Sequence, residues 1–64
     1  MAAKIRLSDG RDVTVALSGK RVVDALAETA SQGETFTRLV TPAKSRVWIN
    51  PMHVSAIEDR PDLD

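Results

Sequence analysis

His53 is the only side chain in this sequence whose ordinary titration falls near neutral pH, so any acid–base chemistry has to begin there. Ser55 and Asp59 follow it closely and supply the other members of a nucleophile–base–carboxylate set. On an extended strand, however, Ser55 merely shares a face with His53, and nothing places a third group behind the imidazole. The histidine therefore reads as a solvent-facing turn residue. Glu58 and Asp59 are paired carboxylates, but neighbours on a strand point to opposite faces, so they read as a solvated strand end. No catalytic residue is assigned, and a non-enzymatic protein is expected.

Metal and phosphate chemistry fare no better. The chain has no cysteine, which removes both a disulfide framework and a thiolate zinc site, and His53 has no second histidine to help it. Neither a metal nor a cofactor is expected. Gly19-Lys20 has the end of a phosphate-binding loop without the glycine-rich stretch that must precede it, and is rejected as one. Lys20 and Arg21 instead stand in the first turn of a helix, where cations oppose the macrodipole. They are candidate contacts for an anion or an acidic partner, weighed against two solvated charges partly offset by Asp24.

The richest patch lies further on, between Thr35 and Asn50. A hairpin connected by Pro42-Ala43-Lys44-Ser45 pairs Thr41 with Arg46, Val40 with Val47, Leu39 with Trp48 and Arg38 with Ile49. In that register Phe36, Val40, Val47 and Ile49 share one face and Leu39 and Trp48 the other, so both faces carry apolar groups. Leu39, Arg46 and Trp48 are then the candidate interaction surface, for a second copy of this chain in a homodimer or higher oligomer, or for another protein. The alternative is a nucleic-acid-binding regulator, in which Trp48 stacks a base while Arg38, Lys44 and Arg46 neutralise phosphates. One aromatic is not a row, so nucleic acid is the less favoured partner.

These side chains have to be positioned by short elements. Lys4-Ile5-Arg6-Leu7 and Asp12 to Leu17 alternate as strands. A two-residue turn at Asp9-Gly10 would set Ile5 against Thr14, whereas a three-residue loop, Ser8-Asp9-Gly10, sets Ile5 against Val13 and gives Gly10 the left-handed position. The longer loop is expected. Ser18 caps a helix with an apolar stripe of Val22, Val23, Leu26, Ala27 and Ala30, and Gly33 ends it. After the second hairpin, Asn50-Pro51 starts a tight or 3₁₀ turn through His53, Val54 to Asp59 runs extended, and residues 60–64 fray. The order β-β-α-β-β-β implies an α+β fold: one small antiparallel sheet with the helix packed on one face, in a single domain spanning residues 1–64, with no repeat or linker.

Nine basic and nine acidic residues cancel, so no global field steers the chain toward nucleic acid or an anionic membrane, and such binding needs a local patch. No window is apolar enough to span a bilayer, and the opening Met-Ala-Ala-Lys-Ile-Arg has no signal-like apolar run. A cytoplasmic protein without membrane contacts is expected.

Ile49-Asn50 with Val54, followed by Ile57-Glu58 and then Pro61-Asp62, resembles a motif of small bacterial FlbD-like (YlzI-like) proteins. Ile5 to Arg11, with Val22-Val23-Asp24-Ala25-Leu26 as the ensuing helix, resembles the second half of the same family. The order is permuted, since the family places the Asn and Ile-Glu strand first. The resemblance implies a bacterial, non-catalytic accessory protein and brings no catalytic residue; the family's flagellar role is not carried across the change of order. From the hairpin reading, Gly10→Val is expected to lower stability in urea denaturation by more than the roughly 1 kcal/mol of propensity alone. A negative φ at Gly10, or Leu7 set opposite Asp12, overturns that loop.

Overall fold

A computed structural model describes residues 1–61. The order is β1 (Ala3–Leu7), β2 (Asp12–Val15), α1 (Gly19–Ser31), β3 (Thr37–Val40), β4 (Arg46–Ile49), a 3₁₀ turn (Pro51–His53) and β5 (Val54–Asp59). The fold is thus α+β, with antiparallel strands and the helix packed against them. The strands divide between two sheets, β2-β1-β5 and β3-β4, where a single sheet was the simplest expectation. Ala16 N–H donates to the Val40 carbonyl at 2.8 Å and ties the end of β2 to the end of β3. Among the described residues no helix is long and apolar enough to cross a membrane. Of the expected frayed tail, residues 62–64 lie outside the described residues; Arg60 N–H donates to the Ala2 carbonyl at 2.9 Å.

The first hairpin has the expected register, with Ile5 opposite Val13. Leu7 N–H donates to Arg11 O at 2.8 Å, Gly10 N–H donates to Leu7 O at 2.9 Å, and Gly10 takes φ 92°. Asp9 reinforces the loop by accepting from the Arg11 backbone N–H at 3.0 Å and from its Nε at 2.8 Å. These bonds, the backbone one foremost, hold the Asp9 carboxyl below its ordinary range. A depressed folded value means that this support is present above the ordinary aspartate range and is lost as pH falls through the folded one.

The second hairpin corrects the expected pairing by one residue. Thr41 N–H donates to Ser45 O and Lys44 N–H to Thr41 O, each at 2.8 Å, while Ser45 N–H donates to Thr41 Oγ1 at 3.1 Å. The loop is therefore Pro42-Ala43-Lys44, built like the first, with Lys44 at φ 67° where the first has Gly10. Leu39 now opposes Val47, Arg38 opposes Trp48 and Val40 opposes Arg46. A slip of one residue exchanges the two faces. A left-handed lysine costs about 1–2 kcal/mol, but burying Leu39 contributes about 1.5–3 kcal/mol, so the register that buries Leu39 wins.

The helix starts and stops as expected. Ser18 Oγ accepts from Arg21 N–H at 3.3 Å. At the other end Gly33 N–H reaches Ala30 O and Glu34 N–H reaches Thr29 O, the paired bonds of a Schellman stop, with Gly33 at φ 71°. Its inward stripe differs from the expected one: Gly19, Val22, Leu26 and Thr29 are buried, whereas Val23, Ala27 and Ala30 are exposed. Thr29 can face inward because its hydroxyl is satisfied, donating to Ala25 O at 3.1 Å and accepting from Thr37 Oγ1 at 2.6 Å. Ala3, Ile5, Val15, Val22, Leu26, Leu39 and Ile49 then join both sheets and the helix in one core.

The Thr29–Thr37 bond is the polar link between α1 and β3. Thr29→Val removes the acceptor of the buried Thr37 hydroxyl and is expected to lower stability by about 1–3 kcal/mol in urea denaturation. Thr29→Val with Thr37→Val together should lose about 1 kcal/mol less than the sum of the single losses. Strict additivity contradicts the bond.

Candidate functional site

The side chains of the candidate catalytic set are each engaged with other partners. His53 ends the 3₁₀ turn, which Asn50 begins by accepting from Met52 N–H at 3.0 Å, and its Nδ1 lies 3.5 Å from Ser8 Oγ. Ser55 is the extra residue of a β-bulge: Arg6 opposes Ala56, Leu7 opposes Val54, and the Ser55 hydroxyl donates to the Arg6 carbonyl at 3.2 Å. Asp59 points to the helix, where its Oδ1 accepts from Gly19 N–H at 2.6 Å. Glu58 faces Lys4 at 3.6 Å instead of sharing a site with Asp59. Among the described residues no group of three or more His, Asp or Glu side chains is placed to hold a metal ion.

The same Asp59 changes the reading of Lys20 and Arg21. A helix N-terminus attracts anions through its free amides and dipole, and here the chain's own carboxylate already occupies that position. Lys20 spans one turn to Asp24 at 3.5 Å. Arg21 donates its backbone N–H to Ser18. The approach is close: a Cβ on Gly19 would stand 2.9 Å from Asp59 Oδ1, so a larger residue there makes that carboxylate shift from the amide it accepts from. Sequence reading missed this pair, because nothing local relates a glycine at a helix start to an aspartate at the end of a distant strand.

The second hairpin presents a different surface from the one its expected register implies. Leu39 is only 3% exposed and belongs to the core, so it leaves the candidate surface. The outer face of β3–β4 instead carries Phe36, Arg38, Val40, Arg46 and Trp48. Phe36 is 56% and Trp48 57% exposed. An open groove of about 690 Å³ runs along one side of them, with Leu7, Val13 and Val47 in its lining and Ser8, Asp12, Asn50 and His53 among its polar residues. A second groove, with Glu28, Glu34 and Arg38, lies on the other side, and both aromatic rings border both grooves. The two rings thus form a ridge.

Charge is distributed unevenly over this neutral chain. Asp9 pairs with Arg11, Asp12 with Arg6, Glu58 with Lys4 and Asp24 with Lys20. The Arg6 guanidinium, through its hydrogen bond, holds the Asp12 carboxyl below its ordinary range. Arg38, Lys44 and Arg46 make no such pair among the described residues, and no acidic residue occurs from Thr35 to Ile57. The uncompensated cations therefore concentrate on the hairpin that displays the two rings.

Compared with protein-family models and with curated proteins, the chain has no match.

The Asp59–Gly19 contact generates a sharp test. Asp59→Ala removes an N-terminal cap and should lower stability by about 0.5–2 kcal/mol in thermal denaturation. Gly19→Ala should destabilise the wild-type background and be tolerated once Asp59 is alanine. Equal losses in both backgrounds rule out the contact as the reason for the glycine.

Proposed function

We propose that the protein is a non-enzymatic binding module, a small bacterial or phage accessory protein of the cytoplasm, that docks a partner on the outer face of β3–β4. The observation that carries this reading is the exposure of Phe36, Val40 and Trp48 together on one face of a two-stranded sheet whose other face is core. Apolar side chains exposed singly are ordinary, but two aromatic rings grouped with an aliphatic residue on a rigid sheet are the composition of a contact surface. The separate occupations of His53, Ser55 and Asp59 support a role that makes no bond chemistry its task.

Self-association through this face meets an electrostatic obstacle. A symmetric pair presents the same patch from both copies, so Arg38 and Arg46 of one would approach those of the other with no carboxylate on the face to separate them. A different molecule, bringing negative charge, suits the surface better.

A photoreactive phenylalanine analogue placed at position 48 in host cells should form covalent adducts, and the same probe at Asp24, on the solvated side of α1, should not. Adducts that form equally from both positions, or from neither, overturn the docking face.

A further inference from the structure

We propose that the occupant of this face is a single-stranded nucleic acid, its bases stacking on Trp48 and Phe36 and its phosphates held by Arg38, Arg46 and Lys44. The inference rests on the docking face described above and names its partner.

The register of the second hairpin is the reason. With the expected pairing, Phe36 and Trp48 would lie on opposite faces and Arg38 would lie away from the tryptophan; the observed pairing gathers both rings and both arginines on one face. Arg38 is directly across from Trp48, and Arg46 lies two residues along β4 from it, roughly 7 Å by strand geometry. Lys44 projects from the loop between the strands, at a left-handed position where the first hairpin uses glycine. Cations are thus distributed from the loop to the middle of the sheet beside the rings, which is the arrangement that tracks a phosphate chain while bases stack.

Each alternative occupant leaves part of this surface unused. A second copy sets like charges against one another. An acidic peptide would satisfy the arginines but brings no planar face for the half-exposed rings. A duplex offers phosphates, yet its bases are already stacked on each other, and Phe36, Val40 and Trp48 have little with which to read polar base edges. Unpaired bases satisfy rings and cations together. Glu28 and Glu34 line the groove beside Arg38, and Asp9 and Asp12 line the groove on the other side of the rings, so the strand is expected to run along the hairpin toward the Lys44 loop rather than toward the helix.

The test is fluorescence anisotropy with labelled twelve-residue oligothymidylate and oligouridylate at low salt, with Trp48 emission recorded alongside and circular dichroism confirming the fold of each variant. Binding to either oligomer with quenched Trp48 emission is expected. Trp48→Ala should weaken it roughly ten-fold or more, and Arg38→Gln with Arg46→Gln should make the affinity less dependent on salt, by roughly 1.4 in the log–log slope. The inference fails if neither oligomer binds at low salt, if a duplex or an oligoglutamate binds as tightly as the single strands, or if Trp48→Ala leaves affinity unchanged. Protein adducts at position 48 in cells, together with no oligomer binding, would refute nucleic acid as the partner and leave the docking face standing.

Discussion

The hydrogen bonds that close the loop from Thr41 to Ser45 decide which side chains of the second hairpin meet the core and which meet water. Strand side chains alternate, so one residue of register exchanges every position between the two faces. Closing the loop over three residues sends Thr37, Leu39 and Ile49 inward and leaves Arg38, Arg46 and Trp48 outside. The rest follows from that choice. Leu39 and Ile49 complete the core begun by Ile5 and Val15, and Thr37 meets Thr29 of the helix.

The helix, in turn, is held at three points by groups from elsewhere in the chain. Asp59 at the end of β5 binds its first amide, Thr37 of β3 binds the hydroxyl of Thr29, and Val22 and Leu26 enter the core between them. A chain this short buries a modest share of its surface, so polar contacts with good geometry matter more than they would beneath a thick core. They also set the rotation of α1 about its axis, which explains why Gly19 and Thr29 face inward while the more apolar Val23 remains half exposed.

A net charge of zero conceals a division of labour. Asp9 and Asp12 of the first hairpin and Asp24 of the helix are each matched to a neighbouring cation, while Glu28 accepts from Gln32. The second hairpin has cations and rings without acids. Short-range fields near a protein surface depend on such local distributions, because screening limits the reach of charge to about 10 Å at moderate salt. A neutral protein can therefore offer a polyanion a distinctly positive face.

Much of the fold is legible in the residues themselves. Alternation in Ile5, Leu7, Val13 and Val15, Gly10 at the loop, Ser18 and Gly33 at the helix ends, and Asn50-Pro51 before the last strand all act within a few positions of where they stand, so the α+β class and every element could be read directly. The trio of His53, Ser55 and Asp59 was also legible as a weak catalytic candidate, for the same local reason. What needed tertiary structure was whatever depends on partners distant in sequence: the split into two sheets, the Asp59–Gly19 and Thr29–Thr37 contacts, and the identity of the buried helix stripe. The second hairpin lay between these cases. Its strands were evident, but its sequence has no glycine to mark the left-handed position, and the four-residue loop Pro42-Ala43-Lys44-Ser45 read from it is one residue too long. Burial of Leu39 against a core built from β1, β2 and α1 favoured the shorter loop, and with it decided that Trp48, Phe36 and the unpaired arginines face outward together.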